Sequence, residues 1–224
     1  MRQQESSPFL KKRTKKLLSP RCCEAPLRRG YPGARALAAL AAALIVTACA
    51  SADPTYYTLQ PQPGTTQTPA PIIIEIRRPG LAGYLDRSDV VLQSANYKLD
   101  VNTQTRWAEP LSDMIARILA ENLTQRLPTA TIFTQSGAIS ANPTLRLEVD
   151  ILNFTTNETN QVTLTAQIAI ERGTTHTPLT TRAITLTTQP AAPGPAPLAA
   201  ALSTLMAQLS DAIATQIHTS ATSP

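Results

Sequence analysis

The chain has 224 residues, of which 42% are hydrophobic and 4% aromatic, and this composition suits one modest globular domain with extensions at its ends. It excludes an assembly of several large domains. The formal charge of +5 is unevenly distributed, because residues 1–48 carry +8 and the rest of the chain carries −3. A basic leader on a weakly acidic body is typical of an exported protein, so the charge does not indicate a nucleic-acid partner.

The leader has the parts of a secretory signal peptide. The uncharged apolar run Ala36–Val46 follows the basic stretch and is shorter than the ~20 residues that cross a bilayer as a helix. A charged segment, a short apolar run and small residues at its end are the features of such a signal. We therefore predict that residues 1–48 form a signal peptide. Because residues 1–35 are long for its charged segment, an over-extended gene start is expected.

The apolar run ends in Val46–Cys49, which resembles a bacterial lipobox. In such signals the cysteine is acylated and becomes the first residue of the mature protein, so Cys49 is the predicted lipid attachment site. An ordinary signal peptide cut near Ala48 or Ala50 is the alternative. It would leave a lone reactive thiol in an exported chain that has no second cysteine after residue 49. With Ala50 and Ser51 after the cysteine, resemblance to Gram-negative sorting signals favours the outer membrane.

The start of the mature chain is predicted to be an acylated N-terminus and a tether, residues 49–70. Its apolar piece Tyr56–Leu59 has the character of a short strand. Residues 60–70 are rich in Pro, Gly, Thr and Gln, which is typical of a flexible linker.

Strand patterns follow the tether. Ile72–Ile76 is β-branched enough for a buried strand. Val90–Gln93 and Tyr97–Val101 flank the turn residues Ser94–Asn96, and this arrangement predicts a β-hairpin.

A helix is predicted next, between Pro110 in its first turn and Pro128, which stops it. Apolar residues recur at steps of three and four, as on one face of an amphipathic helix. They are Leu111, Met114, Ile115, Ile118, Leu119 and Leu123.

The second half returns to a period of two residues. Thr131–Phe133 is a short strand candidate, and Leu145–Ile151 alternates apolar and polar residues until Leu152–Phe154 break the pattern, as a bulge would. Val162–Ile170 alternates in the same way. Ile184 and Leu186, with threonine neighbours, predict one more strand.

The C-terminal part predicts a proline-rich loop, Gln189–Pro197, and a second helix from about Leu198 to Ile217. Residues 71–218 are thus expected to form one α+β domain, and residues 219–224 a disordered tail. The expected architecture is a mostly antiparallel sheet of about five to seven strands, with two helices packed on one face.

Catalytic patterns are nearly absent. His176 and His218 have no acidic or cysteine partner at metal-ligand spacing, and no Gly-x-Ser-x-Gly or phosphate-binding glycine loop occurs. We therefore expect a protein that is not an enzyme and that uses no metal or other cofactor.

Two local clusters are candidates for contact or structure. The loop Gly80–Arg87 joins two strands and is partly apolar, so it is a candidate contact surface for a partner or a second subunit. Trp107, the only tryptophan, precedes the first helix and is expected to be a structural core residue. The candidate contact residues are Leu81, Tyr84, Leu85 and Arg87.

These motifs together resemble a known family, the auxiliary lipoprotein components of ABC-type transporters that include paraquat-inducible protein C. The resemblance rests on Cys49, Tyr56–Leu59, Tyr84–Arg87, Arg106–Leu111 and the terminal helix segment Leu209–Ala214. It covers nearly all of the chain after Cys49. The long leader and a Thr-rich, aromatic-poor strand region from Val162 to Ile170 depart from the family pattern.

The resemblance implies an outer-membrane lipoprotein that faces the periplasm of a Gram-negative bacterium. Its implied partners are a mammalian-cell-entry (MCE) domain protein and the inner-membrane permease and ATPase of a lipid transporter. In this hypothesis the chain docks the periplasmic tunnel to the outer membrane. Because such conduits need repeated copies around an axis, a cyclic homo-oligomer is expected.

Two other hypotheses stay open at this point. One is a monomeric periplasmic lipoprotein that binds a small apolar ligand or acts as an assembly chaperone, with an apolar pocket between helix and sheet. The other is a cell-envelope hydrolase, which is disfavoured because the sequence shows no nucleophile–base pair.

Overall fold

The computed structural model describes residues 53–69, 71–93, 98–136, 139 and 141–222. The predicted signal peptide, Cys49 and the predicted turn at residues 94–96 lie outside the described residues. The described residues form nine strands and two helices. The strands are β1 Thr55–Tyr57, β2 Ile73–Ile76, β3 Gly80–Leu81, β4 Asp89–Gln93, β5 Leu99–Trp107, β6 Thr131–Thr134, β7 Leu145–Thr156, β8 Val162–Arg172 and β9 Pro178–Thr188. The helices are α1 Leu111–Arg126 and α2 Pro195–Thr222.

The strands form two mixed sheets. The smaller sheet has the order β1-β5-β4, and the larger has the order β6-β2-β7-β8-β9, with β3 also paired to β7. The predicted β4–β5 hairpin is confirmed, and β7, β8 and β9 are antiparallel neighbours. However, β1 pairs with β5, and β2 with β6 and β7, in parallel. The prediction of an α+β fold is confirmed, but the expected antiparallel character holds only for part of the structure.

The core lies between the six-stranded sheet and the helices. Alternate residues of β7 and β8 are buried, from Leu145 to Ile151 and from Val162 to Ile170, together with the apolar stripe of α1. The residues between them, such as Glu148 and Gln167, face away from this core. The alternation in the sequence therefore marks which face of the sheet the helices cover.

The predicted irregularity in β7 is present. The register between β7 and β8 shifts between Ile151 and Asn153, and the extra residue, Leu152, is 40% exposed. An inserted residue has no partner across the ladder, so its side chain is displaced from the alternating pattern.

The ends of the helices differ slightly from the prediction. Pro110 is the residue before the first turn of α1 rather than part of it, and the N–H of Leu127 closes the helix on the carbonyl of Leu123. Helix α2 begins at Pro195. Proline is tolerated in a first turn because an N–H at that position would have no helical partner. Helix α2 continues to Thr222, so most of the predicted tail, residues 219–224, is helical.

Helix α2 is long and apolar enough to cross a membrane by composition alone. Within Pro195–Ser220, an 18-residue window has a mean hydropathy of 1.2, but 67% of that window is buried inside the domain. Because it contacts α1 and the large sheet, α2 is accounted for as a core helix.

Candidate anchor and docking region

The segment that follows β1, residues 59–69, is bound along both helices, and we call it the strap. The N–H of Gln60 donates to the Ser203 hydroxyl on α2, 3.1 Å away. The N–H of Gln62 donates to Oδ1 of Asn122 on α1, 2.9 Å away. The strap thus bridges the two helices through its own backbone.

A buried arginine fixes the strap in place. Arg126 lies in the last turn of α1 and its side chain has no solvent exposure. Its Nε donates to Oδ1 of Asp211 on α2 at 2.6 Å, which supplies the opposite charge. The remaining donors go to backbone carbonyls, two of which belong to the strap. These acceptors are Gln62 O at 3.0 Å, Pro63 O at 3.5 Å, Asn122 O at 3.2 Å and Ala207 O at 3.1 Å.

The strap corrects the prediction of a free tether up to residue 70. Its composition alone favours a flexible chain, but its carbonyls are captured by Arg126 and the N–H of Gln67 donates to the Arg126 carbonyl at 2.7 Å. Only the residues before β1 are left to act as a linker. From Cys49 to Thr55 a fully extended chain spans at most ~21 Å. Any anchor on Cys49 therefore keeps the domain close to the surface that holds it.

The predicted contact loop is packed more tightly than expected. Leu81 pairs with Ile151 of β7 as part of β3 and is half-buried. The Tyr84 hydroxyl donates to the Leu152 carbonyl at 3.1 Å, and desolvation by burial raises the pKa of Tyr84. Leu85 is only 3% exposed. Leu85 is therefore a core residue and not a contact residue.

The exposed part of this loop is small. Arg87 is exposed, and none of the ion pairs formed within the described part of the chain involves it. Tyr84 is half-buried beside the exposed Leu152. Tyr84 and Leu152 adjoin each other, and Arg87 lies three residues after Tyr84 in the same loop; we call these three residues the loop patch.

Trp107 occupies the core, as its structural interpretation expects. It is 6% exposed and lies opposite Tyr57 in the parallel pairing of β1 with β5. The backbone N–H of Trp107 donates to the Ser88 carbonyl at 2.7 Å, which ties the end of the loop to β5. A surface depression of about 320 Å³ lies beside it. The depression is lined by Asp86, Arg87, Ser88, Trp107, Glu109, Pro110 and Leu111.

A charged cluster adjoins the residue before the strap. Arg117 on α1 donates to Glu109 at 2.5 Å and to Glu121 at 3.1 Å. The hydrogen bond with Glu109 is the main reason that the pKa of Arg117 is raised, because carboxylate partners favour the charged guanidinium. Arg117 also donates to the Thr58 hydroxyl at 3.3 Å. The start of the strap is thus held from the side of α1 as well.

Sequence reasoning missed the two residues that hold the strap. Asn122 and Arg126 follow Ile118 at steps of four, so all three lie on one stripe of α1. A polar residue and a cation at apolar-stripe positions are the signal that could have identified them. It indicates side chains that need buried partners.

The described residues hold no cluster of three or more His, Cys, Asp or Glu side chains that could bind a metal ion. His176 and Glu171 form a pair, with 3.5 Å between Nδ1 and Oε2.

Solved structures share this fold. One, of an uncharacterized protein, is 19% identical, covers 74% of this chain and 99% of its own, and superposes with a TM-score of 0.64. Another, from Xanthomonas campestris, is 13% identical, covers 74% of this chain and 96% of its own, and has a TM-score of 0.61. At such identities the likeness shows the fold alone. A comparison with curated proteins gave no match.

The fold and the strapped N-terminal segment define a small α+β domain. The model of the family described as ABC-type transport auxiliary lipoprotein component matches residues 57–214. The chain belongs to this family. Membership indicates a lipoprotein held at a membrane of the cell envelope and associated with an ABC transport system.

Proposed function

We propose that this lipoprotein docks the periplasmic tunnel of an MCE-type lipid transporter to the outer membrane, without catalysing a reaction. Acyl chains on Cys49 anchor it, and the α+β domain contacts the MCE-domain protein. A permease and its ATPase, located in the inner membrane, drive transport. The family match over residues 57–214 is the observation that carries the transport role.

The short linker supports a docking role at the membrane. Three acyl chains exceed the roughly two attachment signals that stable anchoring requires. Because Arg126 and Asn122 bind the strap, the linker ends at Thr55 and cannot lengthen by releasing residues 59–69. A domain held this near the bilayer is suited to receive the end of a conduit. It is poorly suited to carrying a ligand across the periplasm.

The contacts are proposed to involve the loop patch and further copies of this chain. Arg87 offers an exposed charge, and Leu152 with Tyr84 offers a partly apolar surface. A mixed apolar and charged patch suits a protein contact. In a cyclic homo-oligomer the patch would be repeated around the axis, and each copy would meet an equivalent surface.

The apolar pocket between helix and sheet that the ligand-carrier hypothesis expects is small. An apolar depression between β4, β5 and the start of α2 has a volume of about 220 Å³. Pockets that enclose small molecules are usually ~300–1,000 Å³. This depression is lined by Val90, Leu92, Asn102, Thr105, Thr156, Asn160, Gly194, Pro195 and Leu198.

Site-specific photo-crosslinking in the native host tests the docking role. A crosslinking amino acid replaces Arg87 in the loop patch or, as a control, Thr185 on the outer face of β9; both positions are exposed. We expect crosslinks to the MCE protein or to a second copy from position 87 and few from position 185. Deleting the MCE gene should change the crosslinks and the oligomer size. If both stay unchanged, the docking role is wrong.

A further inference from the structure

Two uncharged sequence segments meet on one side of the domain. Residues 54–74 and 183–210 contain no Asp, Glu, Lys, Arg or His. The Gln60 N–H to Ser203 contact joins positions 143 residues apart. A second bond, from Nε2 of Gln62 to the Thr204 hydroxyl at 3.3 Å, joins the same two segments. The fold therefore places two distant charge-free stretches side by side.

A groove of about 400 Å³ runs between them, and every residue that lines it is uncharged. We call this surface the charge-free face. Tyr56 is 59% exposed at its edge, and Ala196 and Ala200 of α2 are exposed beside it. The complete lining is Tyr56, Tyr57, Thr58, Gln60, Pro61, Gln62, Ala196, Ala199, Ala200 and Ser203.

Charged groups border this face, and one of them is Arg106, which lies opposite Tyr56 in the pairing of β1 with β5 and forms an ion pair with Asp89 at 3.2 Å. Arg117 reaches Thr58 but is already paired with Glu109 and Glu121. Asp53 precedes the segment and is exposed. The groove itself therefore offers no charge for a polyanion or a charged peptide to recognise.

The position of the lipid anchor on Cys49 indicates that a bilayer lies close to this face. The step rests on the proposed acylation of Cys49. Tyr56 follows Cys49 by seven residues, so even a fully extended chain puts it within ~25 Å of the bilayer surface. Because the strap is fixed to both helices, the groove cannot move away from that segment.

We propose that the charge-free face lies on the surface of the bilayer that holds Cys49, with the Tyr56 ring among the lipid headgroups. Tyrosine suits this depth because its ring is apolar and its hydroxyl remains hydrated. Uncharged groups are also cheaper to bring to an interface than ionised ones. Without Lys or Arg on the face, the contact does not depend on anionic lipids.

Fluorescence quenching in vesicles tests this orientation. The acylated full-length protein carries Tyr56→Cys or Ala200→Cys on the charge-free face, or Thr185→Cys as the control on the outer face of β9. Because the chain after residue 49 has no native cysteine, each variant takes one label, an environment-sensitive dye. The vesicles contain phosphatidylethanolamine and phosphatidylglycerol, with a nitroxide quencher on the headgroup.

The expected result is quenching at positions 56 and 200 that is at least about twofold stronger than at position 185, as for a face set into the headgroup region. The ratio should persist when phosphatidylcholine replaces the anionic lipid. Both mutated side chains are exposed, so the fold should tolerate either change. Because two positions on the face are labelled, the test does not depend on the folding of a single variant.

The other outcomes overturn the inference in distinguishable ways. Equal quenching at all three positions, in protein that floats with the vesicles, would refute the orientation and leave the anchor intact. If the dye at position 56 is shielded from water in detergent without lipid, the charge-free face would instead be covered by a second copy of this chain. Protein that fails to float would refute the acylation of Cys49, and with it both proposals.

Discussion

The charge-free face and the outer face of the six-stranded sheet are both exposed, yet they differ in chemistry. The outer face carries ion pairs, such as Arg146 with Glu75 at 2.8 Å and Arg77 with Glu148 at 3.8 Å. The charge-free face carries none and is lined only by uncharged residues. Charge is therefore segregated between the two surfaces. The outer face of the sheet carries ionised groups that water solvates, whereas the charge-free face suits an environment where an ionised group would be costly.

The largest effect is expected from removing the arginine that fixes the strap. Arg126→Met leaves several buried carbonyls and Asp211 without their donor. We expect a loss of ~2–4 kcal/mol in the free energy of unfolding, because breaking a buried hydrogen-bonded pair exposes the full desolvation penalty. Urea denaturation measures the loss, and hydrogen exchange should show faster exchange at Gln62 and Gln67.

The control for this variant is Arg182→Met, because Arg182 is exposed on β9. It should change stability by less than ~0.5 kcal/mol. Equal stability of the two variants would mean that Arg126 does not hold the strap.

The next largest effect is expected from a change in the strap that removes no charge. A side chain at Gly64 would overlap the guanidinium of Arg126, whereas a side chain at Gly83 would meet nothing within 4 Å. Because Arg126 is locked by its partners, the strap must shift, and Gly64→Ala should cost ~1–3 kcal/mol. Gly83→Ala should be close to neutral. Thermal denaturation of the pair tests this order, and a Gly64→Ala variant as stable as Gly83→Ala would contradict it.

A smaller effect is expected from removing a tyrosine hydroxyl, and it should differ between Tyr84 and Tyr56. The Tyr84 hydroxyl is bonded to the Leu152 carbonyl, so Tyr84→Phe should lower the free energy of unfolding by ~0.5–1.5 kcal/mol. Tyr56→Phe should leave it unchanged, since Tyr56 is mostly exposed. Chemical denaturation distinguishes them. A destabilised Tyr56→Phe would show that Tyr56 belongs to the fold rather than to a contact surface.

The smallest effect concerns the charged face. Glu148→Gln breaks an exposed ion pair with Arg77 at 3.8 Å. Such pairs are worth ~0–1 kcal/mol and are screened by salt. We therefore expect a change near the detection limit of denaturation experiments, which should vanish at high salt. A large, salt-insensitive loss would mean that the outer face contributes more to stability than its exposure indicates.

Local patterns in the sequence predict the elements well. The three- and four-residue steps of α1 and the alternation in β7 and β8 predict their type, their buried face and the bulge at Leu152. Periodicity reports which side of an element is buried. It does not report the partner or its direction, so the parallel pairing of β1 with β5 and of β2 with β6 could not be predicted.

The candidate site was predicted only in part. The loop that holds Tyr84 was identified from its apolar residues, but burial of Leu85 depends on packing that the sequence does not show. The strap was missed because flexible composition describes the isolated chain. Its order comes from Arg126 and Asn122, which lie about 60 residues further along the chain.

The state of Cys49 in the native host tests most directly whether this domain is held at a membrane. Mass spectrometry of the mature N-terminus, combined with fractionation of the two membranes, measures it. We predict an acylated Cys49 as the first residue and recovery of the protein with the outer membrane. An unmodified thiol on a protein recovered in the soluble periplasm would contradict the anchor, the docking role and the orientation together.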